Sequence, residues 1–199
     1  MSVRRAISET DGIYFITITN CQWLRLFERS NGYDAVYRWF DTLKKSGHYI
    51  LGYVIMPNHL HCLIAFSNTQ GKSINTIVGN GKRFMAYDIV ARLMQKGEVE
   101  LLGELTQKVN QTEKKRGKLH EVFEPSFDCK PCYSWQIVIQ KLNYIHENPC
   151  RSNWGLAESP ADYKHSSAQY YFTGSHSIYE VTNYMELEDI DLTRGHESK

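Results

Sequence analysis

YVIMPNHLHCLI, residues 53–64, is the stretch on which the fold turns. It lies within two apolar runs, residues 48–56 and 59–66, with only Pro57 and Asn58 between them. That spacing and turn chemistry predict an antiparallel hairpin, because a two-residue connection returns the chain beside itself. Side chains two apart on a strand leave the same face, so His59 and His61 stand together while Leu60 and Leu63 serve packing. Two imidazoles side by side are half of a metal site. Taken alone, an H-x-H also fits a hydrogen-bonded core histidine beside one that faces water, so the pair needs a second group to give it meaning.

Upstream, IYFITIT (residues 13–19) alternates β-branched and aromatic residues over a strand's length. Between residues 31 and 46, Tyr33, Val36, Tyr37, Phe40 and Leu43 recur at three and four, a helical spacing that Gly47 ends. Downstream, Ser73 opens a helical pattern through Ile74, Ile77, Val78, Phe84, Met85, Ile89 and Leu93, which Gly79 and Gly81 leave open to division into two helices. Residues 97–117, polar and rich in Lys, Gln and Glu, read as a mobile loop or a frayed helix end, and residues 119–127 as one more strand. Residues 135–147 then form a helix with Ile137, Ile139, Leu142 and Ile145 on its apolar face, ended by Pro149. The order β-α-β-β-α-β-α predicts an α+β fold, a ferredoxin-like antiparallel sheet with helices on one face. A single domain is expected over residues 1–175, followed by a poorly ordered acidic tail over 176–199.

With 42% apolar and 23% charged residues among 199, the composition is that of an ordinary globular protein. The apolar stretches are too short to span a bilayer and MSVRRAISETDG, the first residues, hold no apolar export core, so a cytoplasmic protein is expected. Cys21, Cys62, Cys129, Cys132 and Cys150 are odd in number and scattered, which points to reduced thiols. Cys129 and Cys132 form a C-x-x-C, but no second pair completes a zinc site. The net charge of +1 conceals six acids against two cations in residues 176–199, a segment at −4, so the rest carries +5. That balance admits a nucleic-acid partner without requiring one.

The second group lies in QKLNYIHENP, residues 140–149. On a helix Tyr144 and Asn148, four apart, share a face, and Lys141 sits one turn before Tyr144. Two imidazoles and a carboxamide oxygen suit Mg²⁺ or Mn²⁺ and leave positions for water and a phosphate, next to which the phenol would be a nucleophile. A free phenol has a pKa of about 10, so a dication or a lysine has to favour its ionised form. His146 points away from that face and reads as structural or surface.

GYVIMPNHLHCLI (52–64), KLNYIHENP (141–149) and PADYKHSSAQYY (160–171), in this order and at these separations, resemble the single-tyrosine HUH transposases, in particular the REP-associated tyrosine transposases of the IS200-like family. The likeness spans residues 12–172. It implies a ferredoxin-like fold with the histidine pair on the sheet and the catalytic tyrosine on a helix in the C-terminal half. By that match His59, His61 and Asn148 are the ligands of Mg²⁺ or Mn²⁺ and Tyr144 is the nucleophile. The activity implied is cleavage and rejoining of single-stranded DNA beside hairpin-forming palindromes, through a 5′-phosphotyrosine. GNGKRFMAYDIVARLM (79–94) looks like the family's helix after the hairpin, with Lys82 and Arg83 as phosphate contacts. Lys141 and the cluster Lys114, Lys115 and Arg116 are further DNA-binding candidates, and Tyr170, Tyr171 and Phe172 are candidate base platforms. Cys150 and RSNWGLAESP (151–160) depart from the family's shorter run there, which leaves the chain path after the tyrosine helix open. Related insertion-sequence enzymes are dimers, so a monomer and a homodimer both stand.

Two other classes fit parts of the pattern. A domesticated, non-cleaving palindrome-binding protein would keep the DNA contacts and form no adduct. A metallohydrolase built on H-x-H would need further His, Asp or Glu ligands at strand ends.

Overall fold

The computed structural model describes residues 11–67 and 71–187. Four strands, β1 (Gly12–Thr19), β2 (Tyr49–Ile55), β3 (His59–Phe66) and β4 (Asp128–Cys132), form one antiparallel sheet in the order β2-β3-β1-β4. Around them lie α1 (Leu26–Ser30), α2 (Tyr33–Lys45), α3 (Ile74–Gln95), α4 (Val99–Gln107), α5 (Gln111–Lys115), α6 (Trp135–Glu147) and α7 (Ala168–Thr173). With α2 and α3 as the crossovers, this strand order is the ferredoxin-like arrangement. The hairpin forms as its sequence predicts, Met56 N–H donating to the His59 carbonyl at 2.8 Å across Pro57 and Asn58.

Strand alternation divides the sheet's side chains between two cores. One face, with Tyr14, Ile16, Ile18, Tyr53, Leu60, Cys62 and Ile64, packs on Val36 and Phe40 of α2 and Val78, Met85 and Ile89 of α3. The other, with Ile13, Phe15, Leu51, Val54, Leu63 and Ala65, packs on Val138, Leu142 and Ile145 of α6. Helices on one face therefore describes the two crossovers and not α6. A helix with an apolar stripe needs a surface to bury it, and the second face of the sheet supplies one at roughly 1.5–3 kcal/mol per fully buried side chain. α6 comes close to β2 at a bulge between Ile50 and Gly52, where a Cβ on Gly52 would lie 2.4 Å from Leu142 Cδ2. α3 is continuous through Gly79 and Gly81. Gly81 serves the crossing with α2, since a Cβ there would lie 2.4 Å from Trp39 Nε1.

Two segments differ from expectation. Residues 97–117 hold α4 and α5 rather than a loop: Leu105 and Val109 are buried, and Asn110 caps α5 by accepting from Glu113 N–H at 2.9 Å. The last strand is Asp128–Cys132 and not residues 119–127, of which Phe123 alone makes a bridge, to Asn20. Pro131 is tolerated because β4 is an edge strand. Cys129 and Cys132, three apart on that strand, face opposite cores and do not converge on a common ion.

The other edge, β2, is covered by returning chain. Ile55 N–H donates to the His165 carbonyl at 2.9 Å, Ser167 N–H to Tyr53 at 3.0 Å and Thr182 N–H to Ile50 at 2.9 Å. Of the acidic segment, residues 176–187 lie on the domain, Tyr179 stacking on Tyr37 and donating its hydroxyl to Asp41 at 2.8 Å. Residues 188–199 lie outside the described residues. Among the described residues no helix is long and apolar enough to cross a membrane.

Candidate active site

β3 opens with His59 at the turn and brings His61 two residues on, opposite Thr19 and Thr17 of β1. Both rings are buried, with centroids 4.6 Å apart. Each is held through Nδ1, His59 by the Asn58 side-chain oxygen at 2.7 Å and His61 by Thr17 Oγ1 at 2.8 Å. Asn58 Nδ2 in turn donates to the Trp23 carbonyl at 3.1 Å, which orients the amide so that His59 Nδ1 carries the proton. The Thr17 hydroxyl is able to accept in the same way, and in that tautomer both Nε2 lone pairs are left for a ligand. Burial lowers the His59 pKa to about 4. It lowers that of His61 to about 2, with the charges of His59, Arg151 and Lys141 adding to it. Both imidazoles are therefore neutral at physiological pH, the form that binds metal.

α6 crosses the same face, capped at its start by Ser134. The Tyr144 ring lies 5.2 Å from His61 and edge-on to Phe15 at 5.9 Å, and Phe15 stacks on His61 at 5.3 Å. Lys141 holds its ammonium 4.9 Å from the Phe15 ring, and Arg151, just past the helix, sets its guanidinium 4.5 Å over the ring of Tyr144. Asn148 is the C-cap of α6, buried, one turn beyond Tyr144. His146, on another side of the helix, is also buried and joined through Nε2 to Ser167 Oγ at 2.9 Å, a structural tie. Two neutral imidazoles side by side have the chemistry to hold a divalent cation, and Asn148, the third candidate ligand, is buried at the end of the helix on the same face. Among the described residues no three His, Cys, Asp or Glu side chains converge on such a site. A cation there would rest on imidazole nitrogen and a neutral oxygen, keeping positions open for an anionic substrate.

The DNA-binding candidates divide among three places. Lys141 stands beside Tyr144, whereas Lys82, Arg83 and Arg116 line a groove of about 1690 Å³ on the α3 side of the sheet, the face opposite the histidines. Within it Lys82 donates to the Glu124, Pro125 and Ser126 carbonyls at 2.5, 3.3 and 3.4 Å, and Lys118 bridges Glu113 and Glu121. Part of the groove's positive charge is thus engaged by the chain itself. Lys114 and Lys115 are exposed on α5, outside the lining. Tyr171 is tied by its hydroxyl to the Leu51 carbonyl at 2.7 Å, Tyr170 stacks on His176, and Phe172 is exposed. Sequence reasoning did not single out Thr17, Asn58 or Arg151 as site residues. It also missed Trp23 and Trp154, whose indoles lie 5.6 and 5.8 Å from the His59 ring. Asn58 alone carried a signal, as a polar turn residue adjoining His59.

The sequence matches no protein-family model and no curated protein. Among solved structures, a REP-associated tyrosine transposase bound to a REP hairpin superposes with a TM-score of 0.58 at 16% identity, over 92% of this chain and 95% of that one. A candidate transposase from Deinococcus radiodurans R1 covers 74% of this chain and 97% of its own at 15% identity, with a TM-score of 0.41. Across nine-tenths of its length, then, this chain has the fold of a REP-associated tyrosine transposase.

Proposed function

We propose that the chain is a DNA strand transferase that cuts and rejoins single-stranded DNA beside hairpin-forming palindromes, with Tyr144 as nucleophile. The observation that carries this reading is the approach of the Tyr144 ring to 5.2 Å from His61, on the sheet face that bears both histidines. The hairpin bound to the structurally similar transposase supports a palindromic partner. In the reaction Tyr144 Oη gives up its proton and attacks phosphorus, the P–O3′ bond breaks, and the leaving 3′ oxygen gains a proton. Mg²⁺ or Mn²⁺ held by His59, His61 and Asn148 would supply Lewis-acid polarisation of a phosphate oxygen. Lys141 and Arg151 draw the phosphodiester towards the phenol and offset charge growing on its oxygens. Thr17 and Asn58 hold the imidazoles in the ligating tautomer. The 5′-phosphotyrosine retains the energy of the broken bond, so a second 3′-OH reverses the step and no external energy source is needed.

Tyr144→Phe tests the assignment. With single-stranded oligonucleotides from DNA flanking the gene and Mn²⁺, the native chain is expected to give a denaturant-resistant adduct. The Phe variant should lose more than about 10³-fold of it while still binding the oligonucleotide. Equal adduct from the Phe variant refutes the nucleophile. One observation favours a second reading: the groove bearing Lys82, Arg83 and Arg116 lies on the sheet face away from Tyr144, so DNA held there need not be cut. A non-cleaving palindrome binder would bind equally in both forms and give no adduct from either.

A further inference from the structure

Trp23 is 59% exposed, yet the chain holds it in a conformation that works against its own stability. Gln22 and Trp23 are consecutive residues with φ of 51° and 59°, the left-handed region in which a bulky side chain is an outlier. Four bonds maintain the turn. Trp23 N–H donates to the Asn20 carbonyl at 3.0 Å and Leu24 N–H to Cys21 at 3.0 Å, while Gln22 N–H donates to Glu124 Oε1 at 2.7 Å and Asn58 Nδ2 to the Trp23 carbonyl at 3.1 Å. None of them buries the indole. Their effect is to stand it edge-on to His59 at 5.6 Å, while Trp154, half-buried in the turn after α6, reaches 5.8 Å from the same imidazole. Strain of this kind persists only where the surroundings over-determine it, and it collects at binding sites.

Building on the strand-transfer reading above, we infer that Trp23 and Trp154 form a stacking site for a nucleobase whose phosphate lies between His59 and Tyr144. A nucleotide carries its base within reach of its own phosphate, so an indole projecting beside the phosphate position is placed to receive it. Stacking on an aromatic face is tolerant of base identity, which suits a strand that must also be read elsewhere. Trp23 supplies the open platform and Trp154 the supported one. Asn58 links this platform to the histidine pair, with its oxygen on His59 and its nitrogen on the Trp23 carbonyl.

The test measures binding of a labelled oligo(dT) and of an abasic strand of the same length, in a Tyr144→Phe background that prevents adduct formation. Adding Trp23→Ala is expected to weaken oligo(dT) binding by about five- to 150-fold and to leave the abasic strand unaffected. Trp23→Gly, which accepts a φ of 59° without strain, should lose the same affinity while melting no lower than the Ala variant, so that unfolding does not explain the loss. Equal loss on both strands, no loss on either, or oligo(dT) bound no better than the abasic strand before Trp23 is changed, each overturns the inference. A base-dependent loss in a chain that never gives an adduct would support the stacking site and remove strand transfer. An adduct with binding indifferent to Trp23 would do the reverse.

Discussion

Thr17→Val removes one oxygen from the site and little else. Both side chains are β-branched and suit β1, an interior strand of the sheet, so the sheet is expected to hold. What disappears is the 2.8 Å bond to His61 Nδ1. A ring that ligates through Nε2 must carry its proton on Nδ1, and in the Val variant that proton points at a methyl group. His61 is only 6% exposed, and a buried donor left without an acceptor costs about 1–3 kcal/mol. The other tautomer avoids the cost by moving the proton to Nε2, where it blocks the metal. The whole penalty therefore falls on the ligating form, equivalent to about five- to 150-fold in affinity and overlapping the range of about 10- to 100-fold typical of outer partners of metal ligands. Isothermal titration of Mn²⁺ in the presence of a single-stranded oligonucleotide reads it directly. Thr17→Ser keeps the oxygen and should restore most of the affinity. Native Mn²⁺ affinity in the Val variant, or a Ser variant as poor as Val, refutes the reasoning.

Acid should destabilise the fold through two further histidines. His165 stacks on Tyr33 at 3.8 Å and meets the Tyr37 hydroxyl at 3.0 Å, His146 is tied to Ser167, and burial lowers both pKa values to about 4. The unfolded chain, with histidine near pKa 6.5, binds more protons in between. The stabilisation is thus complete above about pH 6.5 and is lost as pH falls towards 4, on the order of 2–3 kcal/mol per ring, and a urea midpoint that stays flat across that window refutes it. Gly81→Ala drives a Cβ to 2.4 Å from Trp39 Nε1 and 2.6 Å from Cε2, atoms of a rigid ring, and should lower urea stability by about 1–3 kcal/mol. Gly52→Ala meets the tip of Leu142, a softer obstacle, and should lower stability less while reducing adduct yield by shifting α6. Unchanged melting of the Gly81 variant would sink that account of the α2–α3 crossing.

The elements that carry their own periodicity were legible before any coordinates. β1, α2, α3 and α6 each show a period of two or of three and four, the β2–β3 hairpin shows two apolar runs about Pro57 and Asn58, and Gly47, Ser73 and Pro149 mark helix ends. β4 was misplaced because its strand character comes from pairing with β1: Asp128, Lys130 and Pro131 are poor strand formers, and the β-branched and aromatic residues lie just before them. In and just after α4 the spacing of Leu101, Leu102, Leu105 and Val109 was present but masked by the polar residues around it. The histidines and the tyrosine were legible as separate patterns, which the chemistry of a metal site and the family resemblance joined into one. Thr17 reaches His61 over 44 positions of sequence and Trp154 reaches His59 through a turn, contacts that no local spacing announces.

The way the sheet ends on either side limits what the molecule can join. At β2 the outward backbone groups of Ile50, Tyr53 and Ile55 are already taken by Thr182, Ser167 and His165, and at β4 the edge is five residues long and interrupted by a proline that has no N–H to offer. An extended peptide, or a neighbour passing through a partly unfolded form, finds no continuous row of donors and acceptors on which to lay another strand. Among the described residues, growth by main-chain addition, the usual route from a sheet to a fibre, is closed along β2 and reduced at β4 to a short, proline-broken edge. Side-chain contacts, which substitution can tune, are thereby favoured over strand addition as the means of association.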